Sequence, residues 1–245
     1  MGLRIALLNA AHDATETRRN FDREIAADLD EYDVVAGEYP DCQRYDACIV
    51  TGSRASVYWD EPWIAELREW TASAVERGLP FLGVCFGHQL LADALGGSVE
   101  PMDEYEIGYR TVEHDGDAPL FDGVAETFTV FTSHSDTVAA LPAGARRIAE
   151  NDYGVHGFRK GDVFGVQFHP EYDRAMAERV ASSKDELPAA RRERVLEGID
   201  RENYLAAREA TTVFDNFLSY VRARPSTEDA TASNADAAAH GAADD

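Results

Sequence analysis

Lysine is almost absent from this chain. Among 23 basic residues only Lys160 and Lys184 are lysines, and the basic set faces 46 acidic residues, for a formal charge of −23. A surface of that sign repels nucleic-acid phosphates and anionic lipid heads, which argues against nucleic-acid and membrane-surface partners. Cysteine is scarce as well. Cys42, Cys48 and Cys85 form neither a disulfide ladder nor a Cys-x-x-Cys metal pair, and they point to a reducing interior. Long apolar runs are also missing. Ile5–Leu8 is too short for a signal core, and no stretch approaches the ~20 apolar residues of a membrane span. The resulting expectation is a soluble, cytoplasmic protein. His12, His114, His156 and His240 lack metal-ligand spacing and read as surface or turn residues, so no metal or other cofactor is expected.

What is present is a core-forming composition, 44% hydrophobic over 245 residues, enough for one large α/β domain. The first half alternates strand and helix patterns. Leu3–Asn9, Asp33–Ala36, Ala47–Thr51 and Leu79–Val84 read as strands. Between them, 15–29 places Phe21, Ile25 and Leu29 on one helical face. A second helix is expected to start from an Asp60 cap with Pro62 in its first turn, to bury Trp63, Leu67, Trp70 and Ala74, and to stop at Gly78. Phe86–Leu95 reads as a helix closed by Gly96 and Gly97. Such alternation implies a parallel sheet with helices on both faces. Short β-like segments follow at 107–114, 126–132, 145–149, 155–159 and 163–168, expected as antiparallel additions and a small further sheet. Residues 173–222 are helical in composition, interrupted at Pro188. From Pro225 onward no large apolar residue occurs, so a domain over 1–224 and a disordered acidic tail over 225–245 are expected.

Two segments carry chemistry. In Phe81-Leu-Gly-Val-Cys85-Phe-Gly-His-Gln89 a buried strand runs into a cysteine flanked by Gly83 and Gly87, and a helix starts at once. This is a Gly-x-nucleophile-x-Gly elbow with cysteine in place of serine. It puts the sulfur at a helix N-terminus, which favours the thiolate, and aims the Phe86 N–H at an oxyanion forming beside it. The second segment is Val163-Phe-Gly-Val-Gln-Phe-His169-Pro170-Glu171. Residues i and i+2 of an extended chain share a face, so His169 and Glu171 point the same way. Nucleophile, base and orienting acid are then all available.

Both segments, with Thr132-Ser133-His134-Ser135-Asp136, resemble the class I, triad-type glutamine amidotransferases, and most closely the stand-alone GMP-synthase-like members. The resemblance implies a flavodoxin-like α/β/α sandwich, a mostly parallel sheet with a small additional antiparallel sheet and C-terminal helices, and an active site at the carboxyl ends of the strands. It also implies a Cys85–His169–Glu171 triad that hydrolyses the side-chain amide of L-glutamine. The oxyanion donors would come from Phe86 and the Gly52-Ser53 turn, and substrate contacts from Gln89, Ser133 and His134.

The departures matter. The family's oxyanion loop is usually Gly-Gly-Pro, whereas this chain has Thr51-Gly-Ser-Arg54, and Ser135 replaces a glycine. The Gly-Ser pair is similar to the γ-glutamyl peptidases of the same superfamily, so a stand-alone hydrolase of another γ-glutamyl compound is the alternative. A non-catalytic regulatory protein on the same fold is a third reading. No P-loop follows, so ammonia would be expected to pass to a separate ATP-dependent synthetase subunit. The segment 173–208 reads either as a solvated helical face or as a lid or docking element.

Abundant Asp and Glu with scarce Lys fits a protein working in molar salt, where self-repulsion is screened to within about 3 Å. The expected outcome is a melting temperature that falls as KCl is withdrawn. Full stability in dilute buffer would contradict it.

Overall fold

The computed structural model describes residues 2–11 and 14–224; the expected tail at 225–245, with His12 and His240, lies outside them. The element order is β1 (Arg4–Asn9), α1 (Ala14–Glu24), β2 (Asp28–Asp33), β3 (Ala47–Val50), α2 (Pro62–Glu76), β4 (Phe81–Val84) and α3 (Phe86–Ala94). Then come β5 (Ser98–His114), β6 (Thr127–Ala140), β7 (Arg146–Asn151), β8 (Gly154–Lys160), β9 (Val163–Val166), α4 (Arg174–Ser182), α5 (Ala189–Glu197), α6 (Arg201–Ala207) and α7 (Thr212–Ala223).

One nine-stranded sheet runs β2-β1-β3-β4-β9-β8-β7-β5-β6. Strands β2, β1, β3, β4 and β9 are parallel, and the remaining pairings are antiparallel. The parallel half has the doubly wound order in which ligands sit outside the carboxyl ends of the strands. The antiparallel additions continue the same sheet as a long ribbon. Its β5 strand joins β7 only through Glu113–Glu150 and His114–Ala149.

Strand alternation divides the core into two layers. Ile5 and Leu7 of β1 face a cluster with Phe21, Phe214 and Phe217 from α1 and α7. Ala6 and Leu8 face the other cluster, with Leu67 of α2 and Phe86 and Leu90 of α3. Each large side chain buried this way contributes about 1.5–3 kcal/mol. A third cluster, including Ile107, Phe131, Ala177, Ala181 and Leu187, fastens the segment after Glu171 onto the ribbon.

Several expected boundaries move. The first helix ends at Glu24, and Leu29 sits instead in β2, paired with Ile5. The acidic run Asp28-Leu-Asp-Glu-Tyr-Asp33 has low strand propensity and is held at the sheet edge by its backbone ladder to β1. Val34–Ala36, read as a strand, is a 3₁₀ turn: the Asp33 carboxylate accepts the Val35 and Ala36 N–H groups, and Gly37 closes it at φ 81°. Helix α2 is capped at Glu61 without a side-chain bond, not at Asp60, with Pro62 as its first residue. It buries Ile64, Leu67, Thr71 and Ala74, while Trp63 and Trp70 pack half-buried at the rim. It ends as a Schellman motif, in which Gly78 N–H reaches Val75 O and Leu79 N–H reaches Ala74 O. Cys42 and Cys48 are buried free thiols.

The strand–turn–helix at β4 and α3 positions the site. A Cβ built on Gly83 would lie 2.3 Å from Gly87 O, and one built on Gly87 would lie 2.3 Å from Val50 O. Only glycine lets α3 press this closely on β3 and β4. Because the obstacles are backbone atoms that cannot rotate away, Gly83→Ala is expected to cost about 1–3 kcal/mol or more. A lowered urea midpoint at an unchanged m-value would report that loss.

Candidate active site

Cys85 occupies the turn between β4 and α3 at φ 54° and ψ −103°, the one non-glycine residue with positive φ among the described residues. A backbone state of this kind costs on the order of 1–3 kcal/mol and persists only where the surroundings over-determine it. Here they do: Cys85 N–H donates to Val166 O of β9 at 2.8 Å, and Cys85 O accepts from Gln89 N–H at 3.2 Å. The thiol is left at the head of α3, beside the Phe86 N–H, which as the first of its helix has no intrahelical acceptor.

His169 lies three residues past the end of β9. Its backbone N–H donates to Phe131 O at 2.9 Å, and its Nδ1 meets Glu171 Oε1 at 2.8 Å. The ring stacks on Tyr172 with centroids 4.0 Å apart, and Cys85 lies close enough to act on its charge, its Sγ 4.0 Å from Ser133 O. Burial pulls the His169 imidazolium down, but the charge on the Cys85 sulfur and the Glu171 carboxylate outweigh it and push its pKa up to about 10. Arg23 of α1 holds the segment from outside, donating to the Glu171 carbonyl and pairing with Asp173 at 2.9 Å.

The turn after β3 closes the opposite side. A Cβ on Gly52 would lie 2.9 Å from His169 Cε1 and 3.7 Å from Cys85 Cβ, so this turn abuts both groups. Ser53 Oγ accepts the Ala55 N–H, and Arg54 projects at the mouth. A cavity of about 480 Å³ opens over these residues. Met176, Arg179 and Val180 of α4 form part of its wall. The segment after Glu171 therefore divides: α4 borders the cavity, whereas α5 has no fully buried residue and packs Val195 and Leu196 half-buried on the third cluster.

The residues expected to touch substrate are all on this cavity, yet several have their polar atoms engaged. Gln89 Nε2 donates to Asp136 O and to Gln167 Oε1, both at 3.0 Å. Ser133 Oγ bonds the Tyr105 hydroxyl at 3.0 Å. The Asp136 carboxylate takes the hydroxyls of Ser56 and Tyr58 at 2.7 Å and of Ser135 at 3.2 Å. His134 reaches Glu106 Oε2 through Nε2 at 2.6 Å and Asp136 O through Nδ1 at 2.9 Å.

His156 corrects the sequence expectation. It is buried, and its Nε2 lies 3.0 Å from Glu106 Oε2. Nothing near it in sequence signals this, because its partner comes from another strand fifty positions away. His114 is half-buried, its ring stacked on Phe121. Glu106, His134 and His156 offer metal-ligand atoms within 4.8 Å of one another, but two of those contacts are hydrogen bonds that already satisfy the carboxylate. Glu106, which in sequence resembles the exposed acids before it, is the buried partner of these histidines that sequence reasoning missed. Tyr172, directly after the His-Pro-Glu segment, could have been found from its position.

The glutamine amidotransferase class-I family model matches residues 19–180. A GMP synthase from Thermomicrobium roseum is 42% identical over 124 residues, 50% of this chain and 23% of that protein. One from Clostridium novyi is 38% identical over 133 residues, 53% of this chain and 25% of that protein. The chain thus aligns with about a quarter of these relatives' length. Among solved structures, a glutamine amidotransferase from Thermotoga maritima superposes with a TM-score of 0.75 at 25% identity, over 89% of this chain and 99% of that one. A glutamine amidotransferase from Methylobacillus flagellatus, at 20% identity and a TM-score of 0.73 over 89% of this chain and 95% of that one, shares the fold.

Removing the sulfur's charge should lower the pKa of His169 from about 10 toward the ordinary histidine range. NMR titration of His169 in Cys85→Ala against the wild type measures this directly. By linkage, the stability that the raised pKa contributes is complete below about pH 6.5 and lost as pH rises toward 10.

Proposed function

The chain belongs to the class-I glutamine amidotransferase family, and on that footing we propose that it hydrolyses the side-chain amide of L-glutamine through Cys85, His169 and Glu171. The observation that carries the reading is the convergence, against the Gly52 turn, of Cys85 at the N-terminus of α3 and His169, whose Nδ1 meets Glu171 Oε1 at 2.8 Å. The Cys85 sulfur attacks the amide carbon, forming the C–S bond as the carbonyl electrons move onto oxygen. The N–H of Phe86 and one from the Gly52-Ser53 turn hold that oxyanion, each contributing about 3–4 kcal/mol in the transition state. His169, carrying the former thiol proton, gives it to the departing nitrogen, the C–N bond breaks and ammonia leaves. Water then adds to the γ-glutamyl thioester, His169 takes its proton and returns it to the sulfur, and glutamate is released. Glu171 keeps the imidazole in the tautomer and orientation that both half-reactions need. The ammonia passes to a separate ATP-dependent synthetase subunit.

A second reading, hydrolysis of larger γ-glutamyl amides or peptides, draws support from the roughly 480 Å³ cavity and the Arg54 cation at its mouth. A volume of that size lies in the range of sites for drug-sized ligands.

Glutamate release in concentrated KCl separates these readings. The wild type is expected to turn over L-glutamine, and Cys85→Ala to lose at least about 10³-fold in kcat. Faster release from γ-glutamyl peptides than from glutamine would favour the second reading. Equal rates in variant and wild type would remove the nucleophile assignment.

A further inference from the structure

Beneath the cavity lies a polar cluster that the proposed reaction does not use. Glu106 is fully buried at the end of the irregular stretch of β5, where the register with β6 shifts between Pro101 and Glu106. Its carboxylate accepts from three neighbours: Asn151 Nδ2 on Oε1 at 2.7 Å, and His134 Nε2 at 2.6 Å and His156 Nε2 at 3.0 Å on Oε2. Burial pushes the Glu106 carboxyl up, but the two imidazoles overcome it and hold it well below the usual carboxylate range.

The hydrogen-bond inventory then bears on the protons. A carboxylate and a peptide carbonyl are acceptors only. His134 presents Nε2 to Glu106 Oε2 and Nδ1 to Asp136 O, so each ring nitrogen faces an oxygen acceptor, an arrangement that a ring carrying a proton on both nitrogens satisfies in full. The other ionisable groups facing it fit that assignment. His156, its ring 5.6 Å from that of His134, is pulled down by burial, and His88 of α3 is pulled down to about 3. The Asp136 carboxylate is turned away onto Ser56 and Tyr58. The same logic fixes Gln89: because Asp136 O can only accept, the Gln89 group facing it is the Nε2 amide, and its second proton goes to Gln167 Oε1.

We propose that Glu106 is a positioning residue of the pocket: its carboxylate keeps both His134 nitrogens protonated, and the Nδ1–H so held fixes the Asp136 carbonyl that sets the orientation of Gln89. Gln89 lies one turn along the helix from Cys85, and Gln167 lies two residues before His169. The relay therefore links the ribbon to both chemical segments without touching a reacting atom. The kinetic part of the proposal rests on the glutamine reading; the protonation part does not.

Nitrogen-15 NMR of the imidazoles in the full chain in concentrated KCl near neutral pH tests the protonation directly. Wild-type His134 should show two protonated nitrogens and no lone-pair signal, and Glu106→Gln should convert one of them. A lone-pair nitrogen on His134 in the wild type overturns the proposal whatever the variants do. In kinetics, Glu106→Gln should raise KM for glutamine about tenfold with kcat within about twofold, since the group holds a binding residue and not a reacting one. An unchanged KM in a folded variant also overturns it. If Glu106→Gln does not fold, two His134 variants carry the kinetic arm. The amide of His134→Asn stands near Nδ1–H and can donate to Asp136 O, so its KM should rise less than that of His134→Ala, and equal values overturn the relay. If the wild type turns over no glutamine, the glutamine reading fails, and the NMR arm still decides the protonation of His134.

Discussion

Everything at the candidate site depends on how closely helix α3 approaches the sheet. Gly87 lies against the Val50 carbonyl and Gly83 against Gly87, distances at which no side chain fits. That contact leaves the chain between strand and helix with a single path, which passes through a positive φ at Cys85. The strain is held by strand-like and helix-like hydrogen bonds on either side of the residue. It follows that the direction in which Cys85 Cβ leaves the chain is a property of backbone packing. Since Cys85 N–H is bonded to Val166 of the next strand, the segment bearing His169 is referenced to the same rigid ladder.

The parts of the molecule differ in how legible they were. The doubly wound half could be read because its strands are short apolar runs and its turns carry glycine or proline. The elbow and the His-Pro-Glu segment could be read because each joins several constraints within nine residues. Strand β2 could not, since Asp28, Asp30 and Asp33 disfavour a strand that only its pairing with β1 produces. His156 and Glu106 were opaque for another reason. They are buried by a contact between strands distant in sequence, and each by itself looks like an ordinary polar residue. The placement of His134 on the cavity was foreseeable, but that both of its nitrogens are spoken for was not.

Polar groups around the cavity fall into two kinds. Those at the far wall, namely Gln89, His134 and the Asp136 carbonyl, are tied to one another and define a shape. Those at the mouth, Arg54 and Arg179, are exposed, and Arg179 pairs with Glu16 at 3.4 Å. A buried network has few alternative arrangements, because each displaced donor leaves an unsatisfied acceptor. Exposed cations exchange readily with salt. The far wall thus holds a fixed shape, while the charges at the mouth are open to salt.

The acidic outer strand β2 has a bearing on association between molecules. A free sheet edge is a template for strand addition from another copy. Along this one stand Asp28, Asp30, Glu31 and Asp33, with Arg4 pairing Asp30 at 2.9 Å. A second chain of the same composition would bring its own carboxylates to within one strand spacing, so the edge repels its own kind at neutral pH. Acidification removes that repulsion by protonation and concentrated salt shortens its range. Salt therefore lowers the barrier to edge-to-edge association that these carboxylates raise.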